Sequence, residues 1–206
     1  RIDATWFVIF ALIAWTLGAH YFPQLYPGWD GSIYWVMSVL TAIIFFASIV
    51  AHELAHSLVS KARGVPVNSI TLFIFGGVAE ISGEPKKPGA EFWMAIAGPL
   101  TSIAIGVIFG GLYFVTGRSR TPFSAMALWL SGINITIAIF NLIPGFPLDG
   151  GRVLRSIIWK ITGNIRSATR VASIVGRIVA YMFILWGIWR IFFNNDILGG
   201  IWIAFI

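Results

Sequence analysis

His52 and His56 stand four residues apart, with Glu53 directly after the first, in the stretch Ala51-His52-Glu53-Leu54-Ala55-His56. On a helix, side chains four apart share a face with Cβ atoms about 5 to 6 Å apart, close enough for both imidazoles to hold one zinc at about 2.0 to 2.1 Å. Glu53 then stands beside the open coordination position. There it can take a proton from zinc-bound water, whose pKa the metal lowers to about 7. The ordinary alternative for so short a pattern is a chance match on a soluble helix. Its setting argues against that, because it ends a charge-free apolar run over residues 33–51. An ionised group near the middle of a membrane span costs roughly 2.5 to 3.5 kcal/mol, so polar groups placed there point to a site.

Two histidines leave a catalytic zinc short of a protein ligand, since such sites carry three plus water. The chain has no cysteine, so the third ligand must come from histidine or a carboxylate, and there are only 8 acidic residues. Asp3, Asp30 and Asp196 fall at span ends, Glu80, Glu84 and Glu91 belong to a hairpin and a basic loop, and Glu53 is the base. Asp149 remains, which gives one zinc per chain on His52, His56 and Asp149. Its competing role is a helix-capping Asp near a basic cluster. It lies in Asn141-Leu142-Ile143-Pro144-Gly145-Phe146-Pro147-Leu148-Asp149-Gly150-Gly151. Two prolines and three glycines there interrupt the helix, and broken backbone at membrane depth is tolerated only against protein or a water-filled cavity. Asn141 could hydrogen-bond the zinc-bound oxygen or a developing oxyanion. Asn134 reads as polar glue between helices, and His20, beside Tyr21 and Phe22, as an interfacial side chain.

The elements that must position these groups are membrane spans. The 206 residues are 58% hydrophobic and 11% charged, with mean hydropathy +0.86. Residues 4–29, 33–51, 92–115 and 121–148 contain no Asp, Glu, Lys or Arg. Each window is near or above the roughly 20 residues that cross the hydrocarbon core as a helix. The expected fold is an all-α polytopic membrane protein over residues 1–206, a single core of five to six transmembrane helices. Spans are expected at about 4–22, 33–61, 91–115, 121–151 and 168–193. Residues 197–206 are too short to cross, as a cut-off sixth span or a re-entrant segment would be. Nothing reads as a cleavable signal peptide. Between the second and third spans, the apolar strand 70–75 and the segment 78–82 flank Gly76-Gly77, which predicts a small hairpin with a two-glycine turn. It is either a plain surface hairpin or an edge that receives an extended peptide by strand addition.

The net charge of +6 marks cytosolic loops and not nucleic-acid binding, because the basic residues flank apolar spans. Lys61 and Arg63 close the second span, Lys86 and Lys87 precede the third, and Arg152, Arg155, Lys160, Arg166 and Arg170 follow the broken segment. Arg118 and Arg120 run against this trend and are outweighed. By helical rise His56 lies about 8 Å and His52 about 14 Å before Lys61, which puts the site in the membrane toward the cytosolic side.

With these residues assembled, the chain resembles the site-2 proteases, intramembrane zinc metalloproteases. The likeness is carried by HELAH in an apolar span, Gly76-Gly77 after a short strand, Ala97-Gly98-Pro99, and residues 141–155 (NLIPGFPLDGGRVLR). It implies zinc on His52, His56 and Asp149, Glu53 as general base, Asn141 assisting, and regulated cleavage of membrane-anchored proteins within their transmembrane segments. A multi-pass protein of a prokaryotic cell membrane is implied, with the bilayer and a transmembrane substrate as partners and a homo-oligomer left open. The short hairpin in place of an inserted PDZ-like domain is similar to the compact bacterial and archaeal branch. Some members of that branch carry C-terminal CBS modules, which are expected to lie outside this chain. The competing class is a membrane metal transporter or metal-gated channel. That class predicts an internal repeat with helices broken at corresponding positions. The chain has no repeat, one broken segment, and a glutamate at a general-base position that transport does not need. An inactive scaffold is disfavoured because no motif residue is missing.

Overall fold

The structure is a computed structural model that describes residues 5–73, 76–81, 85–117 and 121–194, and beyond these 196, 197, 199, 201 and 203. Among the described residues, five helical stretches are long and apolar enough to cross a membrane: Trp6–Leu25, Gly31–Ala62, Pro88–Val115, Pro122–Asn141 and Ile165–Asn194. The first is composite, with α1 (Thr5–Thr16), a π-helical turn over Leu17–Tyr21 and a short α2 (Phe22–Leu25). The others are α3 (Gly31–Ala62), α4 (Pro88–Val115), α5 (Pro122–Asn141) and α7 (Ile165–Asn194), and the amphipathic α6 (Asp149–Thr162) stands before α7. Of the expected sixth span, residues 198, 200, 202 and 204–206 lie outside the described residues.

Contacts divide the chain into two compact units, Arg1–Lys86 with Ile96–Phe140, and Lys87–Ala95 with Asn141–Ile206. In the first unit, Phe45, Phe46, Met126 and Leu130 form a core against Trp6, Phe10 and Trp129. A second cluster of Leu17, Phe22 and Ala125 packs against Tyr26, Trp29 and Tyr34. α3 buries a polar stripe, Ser38, Thr41, Ser48, His52, His56 and Ser60, and exposes Val36, Leu40, Ile43, Val50 and Leu54. This is the pattern lipid imposes. Hydrocarbon outside the bundle is as apolar as leucine, so helices associate through small and polar residues, each worth well under 2 kcal/mol. Three of the hydroxyls are satisfied on their own helix: Ser38 donates to Tyr34 O, Thr41 to Met37 O and Ser48 to Phe45 O, whereas among the described residues the buried Ser60 Oγ has no hydrogen-bond partner. Asp30 caps α3 by accepting from the backbone N–H of Ser32 at 2.9 Å and from its hydroxyl at 2.6 Å. Asn134 is buried on α5, where its amide donates to Leu130 O, and His20 is exposed in the π-helical turn.

The hairpin expected with a Gly76-Gly77 turn is not seen in that form. β1 (Val67–Phe73) and β2 (Gly76–Ile81) run antiparallel, with Leu72 opposite Gly77 and Phe73 opposite Gly76. Both glycines therefore sit in the ladder, and residues 74–75 between the strands lie outside the described residues. Glycine lets a backbone turn but does not compel it, so the pairing of the flanking residues decides the register. The strand pair packs against α3.

In the second unit the break expected over residues 141–151 is shorter. α5 ends at Asn141 and α6 begins at Asp149, so Gly150 and Gly151 lie inside a helix. The irregular stretch is laced by its own backbone: Gly145 N–H donates to Ile143 O, Leu148 N–H to Gly145 O, and Gly151 N–H to Leu148 O. Gly150 is required by contact, because a Cβ there would meet the carbonyl oxygens of Ile143 and Leu142 at 2.3 Å. α6 and α7 pack on one another, and Asn164 caps α7 by accepting from the N–H groups of Arg166 and Ser167.

Candidate active site

The helical repeat does at His52 and His56 what the spacing predicts. Both side chains are buried on α3, and their Nε2 atoms are 3.2 Å apart with the rings edge to face. Two ligands at about 2.0 to 2.1 Å in a tetrahedral arrangement stand roughly 3.3 Å from one another. The two imidazoles are therefore already spaced as two corners of a zinc site.

What holds them comes from α4. Gly98 lies over the pair so closely that a Cβ would be 2.2 Å from His56 Nε2 and 2.5 Å from His52 Nε2. The close approach of Ala97-Gly98-Pro99 to the HELAH helix is as expected, with Gly98 as its reason. One turn further, Ser102 Oγ lies 2.9 Å from His52 Nδ1, and both residues are buried. With Nδ1–H donating to the hydroxyl, the Nε2 lone pair is left for a metal, the way protein-held imidazole ligands are oriented. Sequence reasoning missed Ser102. Its signal was its spacing, four residues after Gly98 on the same helical face.

Glu53 follows His52 on α3 and is half-buried. In the second unit, Asn141 is the last residue of α5 and Asp149 the first of α6, both half-buried, one at each end of the broken stretch. A side chain in the first turn of a helix is fixed in direction by the helix axis, and a carboxylate there is favoured by the helix dipole. The residues that the sequence singles out, two imidazoles and one carboxylate, are donors of the kind a catalytic zinc takes.

Glu91 departs from expectation. It belongs to no loop: it sits in the first turn of α4 with no exposed surface and takes hydrogen bonds from Nε and Nη2 of Arg155 on Oε1. Arg155, expected among the cytosolic basic cluster, is mostly covered as a result. Local sequence carries no sign of this, since the partners are 64 residues apart.

The profile of peptidase family M50 matches residues 40–119 and 116–186. Rip3 of Mycobacterium tuberculosis is 41% identical over 97% of this chain and 51% of its own length. Zinc metalloprotease MJ0392 of Methanocaldococcus jannaschii is 38% identical over 77% of this chain and 45% of its own. The chain thus spans about half the length of the curated relatives it matches. Among solved structures, the site-2 protease from Methanocaldococcus jannaschii superposes with TM-score 0.60 at 30% identity, covering 99% of this chain and 86% of that one. Nothing in these comparisons favours a transporter or channel. Five apolar helices and a profile match that takes in HELAH, Asn141 and Asp149 make this multi-pass membrane chain a member of peptidase family M50.

Proposed function

We propose that this chain is the catalytic core of an intramembrane zinc metalloprotease that hydrolyses peptide bonds within the transmembrane segments of membrane-anchored proteins. The observation that carries the reading is the pair of Nε2 atoms 3.2 Å apart on the buried face of a membrane-length helix, with a glutamate beside them. His52, His56 and Asp149 are the ligands. Zinc held by them supplies a Lewis acid that polarises a carbonyl and acidifies water. Glu53 takes the proton from the attacking water and returns it to the leaving amine. Asn141 donates its amide to the oxyanion as it develops. The low dielectric around these groups strengthens each of these interactions.

The basic residues that close α3 and open α4, with Lys61, Arg63, Lys86 and Lys87 all exposed, support a site toward the cytosolic side of a prokaryotic cell membrane. A helical peptide bond has its carbonyl engaged in the i to i−4 ladder, so a substrate must unwind locally before it can be cut, and helix breakers near the cut are expected to speed cleavage. Glu53→Gln removes the base and no ligand. The variant is expected to keep about one zinc per chain while losing cleavage of a model transmembrane substrate by two to four orders of magnitude. Near wild-type turnover would sink this mechanism.

A further inference from the structure

Glu91, Gly98 and Ser102 lie on α4 at i, i+7 and i+11. All three are buried. Gly98 and Ser102 form the cradle of the histidines, and Glu91 grips Arg155 of α6.

Arg155 is engaged on a second side. Its guanidinium carbon lies 5.6 Å from the centroid of the Phe146 ring, in the irregular stretch three residues before Asp149. That stretch and the first turn of α6 are locked together backbone to backbone, as the contact limits at Gly150 require. A grip on Arg155 is therefore a grip on the segment that ends in Asp149. The ion pair is also poorly finished: Glu91 Oε2 is buried and, among the described residues, takes no hydrogen bond. Burying two charges and leaving one oxygen unbonded is a costly way to hold helices together, and apolar side chains of similar volume often do as well or better.

We propose that Glu91 and Arg155 are a positioning pair for Asp149, holding the segment from which the carboxylate ligand projects. This rests on the ligand assignment proposed above. The pair touches neither substrate nor reacting atoms. Its work is to fix the direction in which Asp149 leaves the broken segment.

The test uses the full chain in lipid nanodiscs, reading zinc affinity by chelator competition, thermal unfolding, and kcat and KM on a model transmembrane substrate. In Glu91→Leu/Arg155→Met the pair is replaced by apolar groups of similar size. The expected result is an unfolding temperature near wild type, zinc affinity lowered about ten-fold or more, as for lost ligand-orienting partners, and a fall in kcat with KM unchanged. Wild-type zinc affinity in the folded double variant overturns the proposal. Should that variant not fold, Arg155→Lys decides: it keeps the charge but cannot place two N–H groups from separate nitrogens on Oε1 while staying over the Phe146 ring, so zinc affinity is again expected to drop, and an unchanged value overturns the proposal. Asp149→Asn, measured in parallel, separates the two levels. If it binds zinc as tightly as wild type, the ligand assignment itself fails. If it is impaired while the pair variants are not, only the positioning role fails.

Discussion

His52 and His56 sit within an uninterrupted helix of 32 residues, whereas Asp149 opens a 14-residue helix after an irregular stretch over residues 142–148. On α3 the direction of each histidine follows from the helical repeat, and the neighbour pressing on the pair, Gly98, meets the tips of two side chains. At the break the geometry is set by backbone against backbone, where Gly150 lies under two carbonyl oxygens. Side-chain tips can move aside at the expense of the site, but backbone moves only at the expense of the fold. The proposed ligands are thus placed once by periodicity and once by contact, and the two regions should fail differently.

The largest effect is expected at the break. Gly150→Ala places a methyl carbon where backbone oxygens stand at 2.3 Å, and overpacking of this kind costs about 1 to 3 kcal/mol or more. A clear fall in unfolding temperature is expected, with loss of zinc following loss of the fold. Gly132 on α5 is the control: a Cβ there meets nothing within 4 Å, so Gly132→Ala should stabilise by up to about 1 kcal/mol through helix propensity. If both substitutions behave alike in thermal unfolding, the contact account of the break is wrong.

Gly98→Ala should separate the regions most sharply. The added methyl displaces the His52 and His56 rings, so zinc content by elemental analysis should drop to near zero while helicity by circular dichroism is retained. Ser102→Ala is the milder change at the same cradle, freeing the His52 ring without pushing it, and should weaken zinc about ten- to hundred-fold. Stoichiometric, tight zinc in Gly98→Ala would mean that the rings have another arrangement suited to the metal.

The smallest effect belongs to the far end of α3. The Ser32 hydroxyl and, after it, the Ser32 backbone N–H hold the Asp30 carboxyl below its ordinary range. A group whose folded pKa is lowered contributes stability that is present above its unfolded pKa, near about 4, and lost as pH falls through the lower folded value. Asp30→Asn keeps an acceptor at the cap but has no proton to gain. Between pH 6 and pH 3 the wild type should therefore lose slightly more thermal stability than this variant. Identical pH profiles would show that the cap contributes nothing measurable at this exposed position.

The spans and the register of HELAH could be read from the sequence, because hydropathy over about 20 residues and a period of 3.6 are local properties of a chain. Asp149 could be singled out for a different reason, the scarcity of acidic residues in an apolar chain without cysteine. The rest needed tertiary contacts. Gly76 and Gly77 carry a turn signal, yet the cross-strand pairing with Phe73 and Leu72 places them inside the ladder. Three glycines after Asn141 suggested one long unwound segment, yet Gly150 and Gly151 are helical, because close backbone approach and chain reversal call for the same residue. Ser102 meets His52 across 50 residues and Arg155 meets Glu91 across 64. No local pattern encodes such pairs, since each member alone looks like an ordinary small or charged residue of its own helix, and only packing decides which buried polar group finds which partner.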